Sequence, residues 1–217
     1  MTLSIYELAV LSASILAIFL LGTTYIRTNL GFYSAQTMAI AAATMLAGSQ
    51  REPHLYVIAL IILLLKAVGI PVFLIWIADR IDAQTDAGTY LPAPLSMHLG
   101  ILLLGASYIL SSELPMMLGH GQGSSRIGAT AAMSLLFSGI LVMLTRRIAI
   151  SQIIGFLMIE NGIYLFALTQ THGMPMMVEM GILLDVLVGV MIAGLLLFRI
   201  KKSFEHIDAS QLTQLKD

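Results

Sequence analysis

The sequence predicts an all-α, polytopic integral membrane protein with about seven transmembrane helices, and three observations lead to this fold class. The 217 residues are 58% hydrophobic and only 11% charged. The mean hydropathy is +0.93, so one soluble core cannot hide all the apolar surface. The apolar residues also fall into seven long runs, each near the roughly twenty residues that cross the hydrocarbon core of a bilayer.

The seven predicted spans cover residues 6–26, 30–48, 55–78, 94–112, 127–145, 148–170 and 175–198. No Lys or Arg precedes the first run, which therefore lacks the basic segment of a signal peptide and is expected to be retained. Short connections with turn residues and charges leave no room for extra domains. We predict an N-terminal four-helix half at 1–126, a C-terminal three-helix half at 127–200 and a tail at 201–217.

The basic residues of the connections predict the orientation in the membrane. An odd number of spans puts the two termini on opposite sides, and Lys and Arg are enriched in cytoplasmic loops. One side carries only Arg51 and Arg126. The other side carries Arg27, Arg80, Arg146, Arg147, Arg199, Lys201 and Lys202. We therefore expect the N-terminus outside and the C-terminal tail in the cytoplasm.

Three ionisable residues fall near the middle of predicted spans: Lys66 in the third, Glu160 in the sixth and Asp185 in the seventh. A charge at the bilayer centre costs roughly 2.5–3.5 kcal/mol on insertion scales, so three unpaired charges would oppose insertion. They are expected to face the bundle interior, to pair or to exchange protons. Groups of this kind suit a proton relay, although a buried carboxylate can also serve only as an interhelical hydrogen-bond partner.

The surroundings of Lys66 predict an irregular helix. Gly69 lies on its face, and Pro71 follows within the segment KAVGIP. Proline lacks the N–H group that would bond four residues back, which frees the carbonyl of Ala67. A helix break beside a buried cation is a common way to build an ion site in transporters.

The surroundings of Asp185 predict close helix packing. Gly181 and Gly189 flank Asp185 at four-residue spacing, which places all three on roughly one helix face. Small residues on such a face allow a neighbouring helix to approach closely. Two further residues are possible secondary relay groups: Glu179, about one turn inside the seventh span, and His98, which is inside the fourth.

Composition excludes several other functions. The chain has no cysteine and five scattered histidines, so we predict no iron–sulfur cluster, no metal site and no catalytic residue in it. Any redox centre is expected on partner subunits. The formal net charge is −1 and no basic stripe is present, so nucleic-acid binding is not expected.

Several segments resemble hydrogenase-4 component E, a membrane subunit of the formate-hydrogenlyase type of complex: GFYSAQ at 31–36, KAVGIP at 66–71, IGFLMIENG at 154–162, VEMGILLDVLVGVMIAGLLL at 178–197 and the tail IDASQLTQLKD. The resemblance runs over nearly the whole chain. The last three spans are also similar to the K-type subunit of respiratory complex I. On that comparison Glu160 corresponds to the acid of the second helix and Asp185, an aspartate instead of a glutamate, to that of the third. Lys66 belongs to the half that the K-type subunit lacks.

The resemblance implies a non-catalytic subunit of an oxidoreductase complex in the cytoplasmic membrane of a bacterium or archaeon. Its expected partners are antiporter-like membrane subunits, a membrane anchor subunit and a hydrophilic arm that carries a [NiFe] centre and iron–sulfur clusters. The resulting hypothesis is proton translocation through Lys66, Glu160 and Asp185. The alternatives are a subunit of a multisubunit cation/proton antiporter, which the length and seven-span plan favour less, and a scaffold for larger pump subunits.

Overall fold

A computed structural model describes residues 4–48, 54–80, 83–86, 88–113, 123–170, 181 and 189, and these residues form helices and short connections without a strand. An isolated antiparallel bridge joins Tyr25 and Thr85. The helices are α1 (Ile5–Leu21), α2 (Ile26–Gly48), α3 (His54–Ile61), a π-helical segment (Ile62–Gly69), α4 (Ile70–Arg80), α5 (Ala93–Glu113), α6 (Gly123–Thr145) and α7 (Ala149–Gln170). Each of the first six predicted spans therefore corresponds to a helix or, for the third, to three consecutive helical segments.

Among the described residues, five helical stretches are long and apolar enough to cross a membrane: Ile26–Ala47, Leu55–Arg80, Ala93–Ser112, Arg126–Thr145 and Ala149–Thr169. The second of them, Leu55–Arg80, combines α3, the π-helical segment and α4. It corresponds to the third predicted span, and we call it the third span. Helix α1 is apolar but has only 17 residues. This is the architecture of a multi-pass membrane protein. The seventh predicted span falls almost wholly outside the described residues, so the count of seven stays a prediction.

Residues Met1–Val178 form one compact unit, and Glu179–Asp217 form a second. In the first unit, α6 packs against α1, α5 and α7, while α2 packs against α1, α7 and all three segments of the third span. Helices on both sides of the predicted boundary after residue 126 are thus in contact. The division into two halves and a tail stays a prediction.

Glycines bring α6 and α7 into close contact. A Cβ atom on Gly139 would lie 2.6 Å from the carbonyl oxygen of Gly155, and one on Gly162 would lie 2.9 Å from that of Ala132. One face of α7 is therefore held directly against α6. Glu160 lies five residues after Gly155, which is a rotation of about 140° around the helix axis. The packing against α6 consequently turns Glu160 away from α6.

The connections after α1, α4 and α6 meet at one end of the helices. Arg27 Nη2 lies 2.7 Å from Asp79 Oδ1. Arg146 donates to the carbonyl oxygen of Thr23 at 2.8 Å, and the Arg147 guanidinium lies 4.3 Å from the centre of the Tyr90 ring. Four of the arginines on which the predicted orientation rests are therefore at the same end: Arg27, Arg80, Arg146 and Arg147. We call this the arginine end; its cytoplasmic location stays a prediction.

Candidate functional site

The structure pairs two of the three charges predicted inside spans. Lys66 Nζ lies 2.8 Å from Glu160 Oε1, and the exposed fractions of the two side chains are 8% and 3%. Taking an isolated charge out of water is costly, and an opposite charge at hydrogen-bonding distance offsets much of that cost. A neutral pair can therefore lie at a depth where a single charge would oppose insertion.

Lys66 lies within the π-helical segment, and the local sequence accounts for this irregularity. Pro71 has no N–H group to donate, and the backbone N–H of Ile70 donates to the carbonyl of Leu65, five residues earlier. The freed carbonyl of Ala67 accepts a hydrogen bond from the Ser34 hydroxyl of α2. The third span is therefore helical from α3 to α4. The break predicted at Gly69 and Pro71 takes the form of wider π-helical turns.

Gly69 contributes to this segment through its small size. A Cβ atom at Gly69 would lie 3.3 Å from the carbonyl oxygen of Leu64, which is a tight contact with the backbone of the preceding turn. π-Helical turns inside α-helices often occur at functional sites. Here the irregular turn contains the one lysine that the sequence places inside a span.

Helix α7 positions Glu160 through its neighbour Asn161. The Asn161 Nδ2 group donates to Thr37 Oγ1 of α2 at 2.9 Å, and Thr37 Oγ1 in turn donates to the carbonyl of Tyr33 at 2.9 Å. One turn further along α7, the hydroxyl oxygens of Tyr164 and Thr44 are 3.1 Å apart. Polar side chains of α2 thus bind α7 at two successive heights.

Helix α2 therefore holds both halves of the ion pair. Ser34 bonds the residue after Lys66, and Thr37 accepts from the residue after Glu160. These two α2 residues are three positions apart and lie on adjacent parts of the helix surface. The position of the ammonium relative to the carboxylate consequently depends on α2, which contains neither charge.

The chemistry open to this site is proton exchange. An ammonium and a carboxylate at 2.8 Å can exist as an ion pair or, after one proton moves, as an amine and a carboxylic acid, and both forms have no net charge. A proton added from elsewhere creates a net charge, which a nearby acid would have to compensate. Among the described residues, no group of His, Cys, Asp and Glu could hold a metal ion.

The remaining predicted site residues have different positions. Asp185 and Glu179 lie outside the described residues, and Gly181 and Gly189 are helical. His98 is exposed near the start of α5, with Nδ1 2.6 Å from the carbonyl oxygen of Pro94. Helix α5 packs on α1 and α6 rather than joining the helices that surround the ion pair. The secondary relay roles of Glu179 and His98 stay predictions.

The structure also contains a second buried charged cluster, which was not predicted from the sequence. Arg146 and Asp86 are each 1% exposed at the arginine end, although both had the pattern of ordinary loop charges. Burial lowers the pKa of Arg146, and the negative charge of Asp86 acts in the opposite direction. Asp86 Oδ1 also accepts from the backbone N–H of Ile148 at 3.3 Å. These contacts join separate loops, so no local pattern could reveal them.

Comparisons with known proteins identify relatives that match most of the chain. The uncharacterized protein Rv0085 of Mycobacterium tuberculosis is 31% identical over 185 residues, which are 84% of this chain and 82% of that protein. This chain belongs to the Rv0085 family. Hydrogenase-4 component E of Escherichia coli and of Shigella flexneri is 23% identical over 204 residues, which are 92% of either chain. No family model and no solved structure matches the chain.

Proposed function

We propose that this chain is a membrane-arm subunit of a complex-I-like, membrane-bound [NiFe] hydrogenase of the formate-hydrogenlyase type, in the cytoplasmic membrane of a bacterium or archaeon. The observation that carries the proposal is the buried pair of Lys66 and Glu160, 2.8 Å apart. It occurs in a chain that is similar over 92% of its length to a protein named hydrogenase-4 component E.

The depth of the pair supports a role in proton movement. Glu160 lies near the middle of α7, Ala149–Gln170, which puts it about 16 Å from either end at 1.5 Å per residue. Moving one charge across a membrane is worth about 2.3 kcal/mol per 100 mV. A titratable station at mid-depth divides this path into two shorter parts, and Asp185 of the predicted seventh span is the proposed next station.

The proposal assigns the redox chemistry to partners. Iron–sulfur clusters and the Ni–Fe centre belong to a hydrophilic arm, and antiporter-like subunits and an anchor subunit complete the membrane arm. Cross-linking and mass spectrometry of the mildly solubilised complex would identify these partners. Recovery with cation/proton antiporter subunits and without hydrogenase subunits would instead support the antiporter alternative.

The central experiment replaces Glu160 with glutamine in the intact complex. Glu160→Gln keeps an acceptor for Lys66 but cannot take up a proton, so we expect normal assembly and redox turnover with fewer protons moved per electron. Asp185→Asn should act similarly, and the double variant should show less than the summed loss because one path is interrupted twice. Asp79→Asn removes a carboxylate whose side chain is 48% exposed and should leave the ratio unchanged.

An unchanged proton-to-electron ratio in Glu160→Gln would support the scaffold alternative. The ion pair also joins the third span to α7, which is the observation that favours a scaffold. An assembled Glu160→Gln complex with an unchanged proton-to-electron ratio would refute the relay and support that scaffold. If Glu160→Gln alone fails to assemble, Lys66→Met with Glu160→Gln removes both charges and allows the same measurement.

A further inference from the structure

Helix α2 carries a buried polar face that the relay proposal has not used. Its members are exposed by no more than 1%: Asn29, Tyr33, Gln36, Thr37 and Thr44. At about 100° per residue these five positions fall within an arc of about 100° on the helix surface. The α2 span also has the lowest mean hydropathy of the five candidate spans, 1.2. Polar groups buried inside a membrane bundle usually belong to hydrogen-bond networks or hydrated paths.

One end of this face begins at the arginine end. Asn29 Nδ2 donates to the carbonyl oxygen of Thr23 at 3.3 Å, and the same oxygen accepts from Arg146 Nη2 at 2.8 Å. Arg146 and its neighbour Asp86 are both buried. The polar face of α2 is therefore continuous with the buried charges among the loops.

The face then leads to the ion pair. Thr37 accepts from Asn161, the residue after Glu160, and Ser34 bonds the residue after Lys66. Asn29 and Thr37 are eight positions apart, about 12 Å along the helix axis. Tyr33, which is 0% exposed, and Gln36 lie between them. The distance to be bridged is a few hydrogen-bond lengths.

Several polar atoms along this route have unused bonding capacity. Asn29 Oδ1, Gln36 Oε1, Asp86 Oδ2 and the Nε and Nη1 atoms of Arg146 are buried and have no hydrogen-bond partner among the described residues. Buried polar atoms without a protein partner are generally satisfied by water molecules, which bridge two to four such groups. A line of water molecules between them would conduct protons.

We infer that the face of α2 from Asn29 to Thr37 is a hydrated half-path that connects the Lys66–Glu160 pair to the arginine end. The inference rests on the proposed proton function and names the side with which the pair exchanges protons. We assign the path to the arginine end because of the contacts in the other half of α2. There the hydroxyls of Thr44 and Tyr164 bond each other at 3.1 Å. Thr44 also donates to the carbonyl of Ile40.

The first test measures proton movement in the assembled complex. Asn29→Leu and Gln36→Leu remove hydration sites while keeping similar size, and each should lower the protons moved per electron several-fold without changing redox turnover. Thr44→Val is the matched control on the same face beyond the pair, and it should leave the ratio unchanged. If both leucine variants move the normal number of protons per electron while Glu160→Gln is defective, the half-path is refuted and the relay proposal is not.

The second test measures water access directly and does not depend on proton pumping. The chain has no cysteine, so single cysteines can be placed in the natural background at Asn29 and Gln36, with Met38 as the control. Met38 lies on the opposite face of α2 and is 45% exposed. Silver ions, which are small and bind thiolates, are added to one side of sealed vesicles, and free thiols are then counted after denaturation.

Silver added at the arginine end should block Asn29→Cys and Gln36→Cys, and silver added at the opposite side should block neither. Met38→Cys should stay free from both sides. Blocking from the opposite side, or no blocking at either position, would overturn the half-path whatever Glu160→Gln shows. Blocking as expected together with unchanged pumping in Glu160→Gln would keep the hydrated path and overturn the proposed proton function.

Discussion

Lys66 Nζ and Glu160 Oε1 are 2.8 Å apart with side chains exposed by 8% and 3%, whereas Arg27 and Asp79 form a pair of nearly equal length, 2.7 Å, with side chains exposed by 67% and 48%. The two contacts have the same chemistry in different surroundings. An exposed pair is screened and easily replaced by contacts with water, but a buried pair has lost most of its hydration. Each pair is therefore the natural control for the other.

We expect a double-mutant cycle to separate the two pairs. Lys66→Met leaves Glu160 buried without its partner and should lower the free energy of unfolding by about 3–5 kcal/mol, and Lys66→Met with Glu160→Gln should recover much of it. Arg27→Met, the exposed control, should cost about 0–1 kcal/mol. Thermal unfolding of the detergent-solubilised protein measures these changes. A loss in the double variant equal to the sum of the losses in Lys66→Met and Glu160→Gln would show that the two charges are not coupled.

The orientation prediction can be tested with reporter fusions. Arg27, Arg80, Arg146 and Arg147 are at one end of the helices, and cytoplasmic ends are enriched in Lys and Arg. Fusions after Arg147 and after Asp217 should therefore both report a cytoplasmic location. A C-terminal fusion that reports outside while the first reports inside would contradict the prediction that a seventh span crosses the membrane after α7.

The contact between α6 and α7 predicts a strong difference between two glycines. Gly139→Ala would place Cβ 2.6 Å from the backbone oxygen of Gly155, which cannot move without separating the helices. We expect a loss of about 1–3 kcal/mol, the usual cost of overpacking. Gly105→Ala in α5 is the control, because its Cβ meets no described atom within 4 Å. The midpoint of thermal unfolding should fall only for Gly139→Ala.

The division of labour between subunits gives a prediction on cofactors. The isolated chain has no cysteine to bind iron–sulfur clusters, so metal analysis of the purified chain should find no stoichiometric iron or nickel. The intact complex should contain both metals on its partner subunits. Stoichiometric metal in the isolated chain, after removal of the affinity tag, would contradict this assignment.

The sequence by itself determined the membrane class, the first six helical regions and the need to compensate Lys66 and Glu160. These properties depend on local composition and on the cost of placing a charge in hydrocarbon, which holds for any arrangement of the helices. The release of the Ala67 carbonyl also followed from Pro71 alone, since proline has no N–H in any fold. A regular 3.6-residue pattern on α2 could further have revealed its polar face.

Only the tertiary structure decided which partner each of these groups meets. Lys66 pairs with Glu160, and Ser34 takes up the Ala67 carbonyl, because α2 packs between the third span and α7. The local sequence does not indicate that Asp86 and Arg146 are buried, whereas the meeting of three loops buries both. Burial and pairing depend on contacts between distant parts of the chain. A local stretch of sequence does not specify which distant segments lie next to it in the fold.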